Sequence, residues 1–335
     1  MKAKGHKDRI LVFRFSAMGD AAMTVPVLRE FAEQNPDVEL IIVSRQLFEP
    51  FFRQIPNAKF IGIDFSQYKG FIGLKILSVR LLKYSPTMIA DLHNVLRTKI
   101  LRFLLKLYVK KTAVLDKGRA EKKALTRQNN KILKPLRPMT ERYADVFRNL
   151  GFKLELSNRL YPLENKKIEG IGIAPFSNYK EKTYPVERMK NLCLTLAKEG
   201  VPVYLFGGGE YEIKMLRKWE DLHPNIHSLA GTLSFEDQIE FMASLPLMVS
   251  MDSANMHIAS LAGTRVMSIW GATHPFTGFL GYGQSMDDVI QIKNLDCRPC
   301  SVFGNKPCPR GTYTCMEAIP EDKILSAISR IVKKN

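Results

Sequence analysis

Four short segments bring together residue types that can move a proton or hold an anion. The first is Arg14-Phe-Ser-Ala-Met-Gly-Asp20, running into Ala21–Pro26. Gly19 permits a tight turn or a close ligand approach, and Asp20 stands at the entry of a helix. Two readings of Asp20 stay open: a carboxylate that caps free N–H groups, or a general base for a substrate hydroxyl. The second segment, Pro175–Pro185, offers donors at Ser177 and Asn178 and positive charge at Lys180 and Lys182, just before a helix starting at Pro185. That suits a phosphate, although a solvated surface loop has the same look. The third, Phe206-Gly-Gly-Gly-Glu210, lets Gly208 and Gly209 present backbone N–H groups to a ligand or simply turn the chain. In the fourth, an apolar strand ends at Asp252-Ser253, and the next helix presents free N–H groups and its positive dipole end, a site for a diphosphate. His257 lies one turn beyond Ser253, able to face the same ligand or to serve as a structural partner of nearby backbone.

Some chemistries lose their support. The chain has neither the G-x-G-x-x-G dinucleotide fingerprint nor G-x-x-x-x-G-K-[ST], which argues against a Rossmann oxidoreductase and a P-loop ATPase. It also has no Asp-x-Asp pair to hold a divalent cation on a diphosphate, so the expectation is that catalysis needs no cofactor. Cys297-x2-Cys300-x7-Cys308-x6-Cys315 has spacing compatible with four thiolates on a structural zinc. Reduced thiols and disulfides formed after isolation are the alternatives. Cys193 sits on an apolar helix and reads as core.

Strand-like runs alternate with helical patterns around these segments. Strands are expected at 10–15, 39–43, 59–64, 88–92 and 112–115, with helices over 21–34 and 141–150. After a polar stretch, 155–169, the pattern restarts: strands at 170–174, 201–206, 247–251 and 265–270, helices over 185–199, 210–222 and 235–244, and a last helix over 320–332. Such alternation implies α/β architecture with doubly wound parallel sheets. The expected division is two Rossmann-like domains, 1–160 and 161–335, with ligands beyond the carboxyl ends of the strands.

Charge separates the halves. Residues 1–165 carry 31 Lys/Arg against 15 Asp/Glu, whereas 166–335 carry 19 against 18. From Arg97 to Arg137 there are 14 basic residues and two acids. Within it, 95–111 interleaves Leu101, Leu104, Leu105 and Tyr108 with Arg102, Lys106 and Lys110, the composition of a basic amphipathic helix on an anionic membrane. An ordinary core-facing helix with a solvated cationic face has the same pattern. Nucleic-acid binding is the rival reading of the charge, but only Tyr108 supplies an aromatic platform between Leu104 and Met139. No segment reads as a membrane span or a signal peptide, so a cytoplasmic location is expected.

Taken jointly and in order, Arg14–Asp20 with Thr24-Val-Pro26, Asp91–Arg97, Lys182-Thr-Tyr-Pro185, Asp252–His257 and Gly271–Pro275 resemble family-9 glycosyltransferases, the ADP-heptose:lipopolysaccharide heptosyltransferases. The resemblance implies the GT-B fold, with a basic acceptor-binding domain and a donor-binding domain facing an interdomain cleft. It implies an inverting, metal-independent transfer from ADP-heptose to a lipopolysaccharide core or lipid A acceptor, at the cytoplasmic face of the inner membrane. Asp20 would be the base. Lys182, Ser177 and Asn178 would hold the diphosphate, with the N–H groups of Ser253 and Ala254. Asp252 would accept from sugar hydroxyls, His257 support that turn, Glu210 or Glu212 reach the ribose, and Thr232-Leu233 line the adenine. Ser16, Met18, Gly19 and Arg97 fall on the acceptor side. The chain departs from the family pattern where it has Ala254-Asn255 in place of Gly-Pro, and Gly271-Ala-Thr-His-Pro275 in place of Gly-Pro-Thr-x-Pro. A different nucleotide-sugar donor is therefore the alternative.

Overall fold

The structure, a computed structural model, describes residues 8–163 and 167–332. The basic start, 1–7, and residues 164–166 of the polar connector lie outside the described residues. The chain divides into two compact units: residues 8–117 with Met139–Ser157, and Gly118–Pro138 with 158–332.

The first unit runs β1 (Arg9–Phe13), α1 (Met18–Gln34), β2 (Glu39–Arg45), α2 (Glu49–Phe52), β3 (Ala58–Ile63), α3 (Gly70–Leu82), β4 (Met88–Asp91), α4 (Leu96–Leu105) and β5 (Lys111–Val114). Helix α5 (Arg119–Thr126) groups with the second unit, and α6 (Met139–Leu150) returns to the first. All five strands pair in parallel, in the order β3-β2-β1-β4-β5. Ile10 to Phe13 are fully buried, as an unbroken apolar run must be when helices cover both faces of a parallel sheet.

The second unit contains β6 (Ile171–Ala174), α7 (Val186–Lys198), β7 (Val203–Leu205), α8 (Glu210–Glu220), β8 (Ile226–Ser228), α9 (Phe235–Ser244), β9 (Met248–Met251), α10 (Ala254–Leu261), β10 (Val266–Ile269), β11 (Val289–Ile290), α11 (Thr314–Glu317) and α12 (Glu321–Val332). Its six parallel strands lie in the order β11-β10-β9-β6-β7-β8. Both units are thus doubly wound, the GT-B pairing of sheets that the sequence led us to expect.

The strand order reverses direction between β1 and β4 in one sheet and between β6 and β9 in the other. At such a switch point the flanking loops diverge to opposite faces and leave a crevice beyond the strand ends. The crevice loops are 14–17 and 92–95 in the first unit, and 175–185 and 252–253 in the second.

The grouping differs from a single break at 160 in one segment, Gly118–Pro138. This strap is fixed to the second unit by Lys131 Nζ, 3.0 Å from the Asp296 carbonyl, and by the Leu136 N–H, 2.9 Å from the Phe276 carbonyl. The Lys122 ammonium also stands 4.6 Å above the Phe279 ring. None of these tertiary contacts leaves a local signal in sequence.

Candidate active site

Helix α1 starts three residues earlier than its periodicity suggests, so Asp20 lies in the first turn rather than before it. Its Oδ2 accepts from the Ala17 N–H at 3.3 Å and pairs with Arg14 Nη2 at 2.6 Å. The capping reading is therefore correct as far as it goes. The Arg14 pair is the addition: both of these contacts fall on Oδ2, and about a quarter of the side chain is exposed. Arg14 itself is buried, donating to the Leu92 carbonyl at 2.7 Å and lying 5.7 Å from the Tyr143 ring centre.

His93 closes the other side of this loop. Burial, then the charges of Arg14 and Lys117, pull its pKa down to about 3, against an opposing Asp20 and with a further push from Arg45. The ring is accordingly neutral. Its Nδ1 accepts from the Phe15 N–H, so the proton resides on Nε2, which donates to Ser16 Oγ, both at 3.4 Å. Ser16 is thus oriented by His93, Gly19 is buried beneath the turn, and Met18 is half-exposed. Arg97, on α4, is exposed with its guanidinium 4.8 Å above the Phe65 ring. Asp91 is taken up by structure: one oxygen accepts from the His93 and Asn94 N–H groups, and the other pairs with Arg102.

In the second unit Lys182 Nζ lies 3.4 Å from Asp252 Oδ2, and both side chains are largely shielded. Thr273 donates to the same oxygen at 2.7 Å. Ser253 caps α10 by position without a side-chain bond to its N–H groups, and its hydroxyl lies 3.2 Å from that of Ser250. The first-turn N–H groups beginning at Ala254, just after Asp252, are therefore left without a side-chain cap. His257 is buried one turn along. Ser177 Oγ bonds the Tyr179 carbonyl and the Thr183 hydroxyl, closing the loop that delivers Lys182, while Asn178 is exposed.

The other residues expected on the donor side follow neighbouring strands of the same sheet. Gly208 and Gly209 follow β7, where the Gly208 N–H donates to Glu212 Oε2 at 2.8 Å. Burial pushes the Glu212 carboxyl up, with that N–H opposing. Glu210 points elsewhere: it is exposed and shares a shallow pocket with Lys214 and Arg217. Thr232 and Leu233 follow β8, with the Thr232 hydroxyl bonded to the Leu229 carbonyl. From β9 through β6 and β7 to β8 is three strand spacings, roughly 14 Å, a span that accommodates an extended nucleoside diphosphate.

Two supporting residues escaped the sequence reading. Gly304, at φ +75°, leaves room for the Lys182 stem: a Cβ there would come within 2.3 Å of Lys182 Cγ. Arg298, 2% exposed, donates to the carbonyls of Trp270, Gly271, Thr273 and Ile292, fixing the loop from which Thr273 reaches Asp252. Desolvation lowers its pKa to about 10, opposed by the nearby thiols of Cys315, Cys300 and Cys297. Neither an isolated glycine nor an arginine between two cysteines carries a recognisable spacing.

The four cysteines read from their spacing as candidate zinc ligands come together in the second unit. Cys297, Cys300, Cys308 and Cys315 line one cavity of about 230 Å³, but among the described residues no group of three or more His, Cys, Asp or Glu side chains is placed to hold a metal ion. All five cysteines are unbridged, and Cys193 is buried in the core as expected.

With this geometry in hand, comparison with known proteins is decisive. The family model for glycosyltransferase family 9 (heptosyltransferase) matches residues 77–307. The chain belongs to this family. It is therefore a glycosyltransferase enzyme of the lipopolysaccharide heptosyltransferase group. The matched span includes Lys182, Asp252 and Thr273, whereas Arg14–Asp20 precedes it. The chain is 21% identical to lipooligosaccharide heptosyltransferase 2 of Campylobacter jejuni, over 95% of its length and 96% of the relative's. Its fold is similar to a family-9 glycosyltransferase from Veillonella parvula, with a TM-score of 0.75, 17% identity and 98% of each chain covered. It is also similar to E. coli heptosyltransferase WaaC, solved with ADP, with a TM-score of 0.70, 16% identity, and 96% and 99% of the two chains covered.

Proposed function

We propose that this family-9 enzyme transfers a heptose from ADP-heptose to a lipopolysaccharide core or lipid A acceptor, by one inverting displacement without a metal ion. The observation that carries the reading is the Lys182–Asp252 pair, immediately before the uncapped first turn of α10 and at the switch point of the second sheet. An ammonium and a helix dipole together supply the positive potential a diphosphate needs. Support for the donor comes from the E. coli relative, whose structure holds ADP.

In this mechanism the first unit binds acceptor and the second binds donor. Asp20 Oδ1, while Arg14 holds Oδ2, takes the proton of the attacking acceptor hydroxyl. Ser16, Met18, Gly19 and Arg97 surround that hydroxyl's sugar. As the new glycosidic bond forms on one face of the anomeric carbon, the bond to the diphosphate breaks on the other, so configuration inverts. Lys182, the Ser253 and Ala254 N–H groups, Ser177 and Asn178 stabilise the charge growing on the departing ADP. Asp252, once the diphosphate draws Lys182 away, accepts from sugar hydroxyls, and His257 supports the turn. Glu212, already turned back to the glycine loop, is the better placed of the two glutamates to meet the ribose. Thr232 and Leu233 border the adenine.

The test is transfer measured with ADP-heptose and with other ADP- and UDP-sugars, each with and without excess EDTA. The proposal expects ADP-heptose to be the preferred donor and EDTA to leave the rate unchanged. Loss of turnover that Mg²⁺ restores would remove the metal-free mechanism, and preference for another sugar nucleotide would replace the donor.

A further inference from the structure

The amphipathic pattern over 95–111 does not fold as its composition suggests. Leu101 and Leu105 are buried in the core of the first unit, and Arg102 pairs with the buried Asp91. The helix stops at Leu105, and β5 begins at Lys111. These residues cannot meet a membrane. What remains outside keeps Tyr108 and Lys106 of that pattern, and half of the exposed apolar set lies on α3, a helix the sequence pattern did not disclose.

Helix α3 buries Leu74, Leu77 and Leu81 in the same core as α4, against which it packs. Its opposite face carries Phe71, Ile72, Ile76 and Val79, all more than half exposed, with Ile72 at 74%. Alongside, α4 and the turn after it expose Leu96, Phe103, Leu107 and Tyr108, with Leu107 at 85%. Scattered exposed apolar residues need no explanation; eight on two adjoining helices form a patch that a soluble surface rarely tolerates.

Charge selects the occupant. Between Lys69 and Lys111 there are ten Lys/Arg and a single acid, Asp91, which is buried and paired. Lys75 and Arg80 stand among the apolar residues of α3, and the Lys106 ammonium sits 4.8 Å over the Phe103 ring. A second copy of the chain meeting this face by two-fold symmetry would set cations against cations. A nucleic acid would gain nothing from aliphatic side chains. An anionic bilayer matches both features: apolar side chains enter the acyl boundary while lysines and arginines meet lipid phosphates.

We propose that α3 and α4 together form the surface by which the acceptor-binding unit docks on an anionic phospholipid membrane. The purpose of this docking, reaching a lipid-borne acceptor, rests on the function proposed above; the docking itself does not.

The experiment is flotation of the full chain with acceptor-free vesicles of phosphatidylcholine, alone or with phosphatidylglycerol. It compares the natural sequence, the paired variant Ile72→Glu with Phe103→Glu, and Leu222→Glu on the second unit as a control for an added surface acid. The natural protein and the control should bind only vesicles containing phosphatidylglycerol, more weakly as salt rises. The paired variant should bind at least tenfold less, since each unit of charge near such a surface changes affinity about fivefold, with an unchanged thermal melt because both side chains are exposed. Equal binding by all three proteins, or none by the natural protein, overturns the proposal. So does a dimer of the natural protein, abolished in the paired variant, with no vesicle binding. Transfer to detergent-dispersed acceptor, intact in the paired variant, would support it. Patch-dependent vesicle binding by a protein that transfers no sugar would leave the docking surface standing and remove the proposed function.

Discussion

Arg14 and His93 decide what Asp20 is free to do. A carboxylate in the first turn of a helix ordinarily spends itself on capping. Here Arg14 holds Oδ2 from within the protein, and neutral His93 fixes Ser16 beside it, an arrangement that suits the base proposed for Asp20. The same logic separates two glutamates two residues apart. Glu212→Gln should weaken ADP binding about tenfold or more, the loss of a charged hydrogen bond to the ribose, whereas Glu210→Gln should leave it unchanged; titration calorimetry with both variants checks this. Asp20, Lys182 and Asp252 could be singled out in the sequence because their types, in the loops and helix starts that follow strands, suit the chemistry proposed for them. Arg14 and His93 carry no such signal, since nothing in spacing shows that a buried guanidinium reaches an aspartate six residues on. The choice of Glu212 needed the direction of its side chain.

At the scale of elements, long periodic segments behaved as their patterns predict and short or anomalous ones did not. Helix α3 escaped because Gly70, Gly73, Ser78 and Val79 break up helix-forming residues and leave an apolar run readable as strand. β8 and β11, three and two residues long, offer no period at all. In 95–111 the periodicity allowed both a core-facing and a membrane-facing helix, and the structure divides the leucines, with Leu101 and Leu105 in the core and Leu96 and Leu107 outside. Loop geometry around Lys182 makes a sharper prediction. Gly304→Ala puts a methyl against the Lys182 stem and should lower ADP affinity about tenfold. Gly311→Ala is the control: it pays a similar left-handed backbone cost of ~1–2 kcal/mol, at φ +68°, but meets nothing within 4 Å. Comparable ADP affinity in the two variants would contradict the role given to Gly304.

For the whole molecule, doubly wound architecture was legible from alternation alone. The strap 118–138 was not, because its allegiance is set by contacts with residues more than a hundred positions away. Two of the buried histidines, His93 and His274, give a global consequence. His93, pulled to about 3, and His274, pulled to about 4 by burial and then by Arg298 and Lys131, are neutral in the fold but titrate near 6.5 when unfolded. Between those values the unfolded chain binds more protons. Stability is therefore fully present above about pH 6.5 and falls as pH drops toward 4, by up to ~1.4 kcal/mol per pH unit for each histidine. Urea denaturation at neutral pH and near pH 5 should show that loss, reduced in His93→Gln; equal midpoints would contradict it.

The most direct test of the central claim sets donor binding beside chemistry in one variant. Asp20→Asn preserves shape and removes the base. The account predicts ADP affinity within about twofold of the natural protein, because the diphosphate is held by the other unit, with transfer slowed by ~10²–10⁴. Transfer within a few-fold of the natural rate would show that Asp20 is only a helix cap.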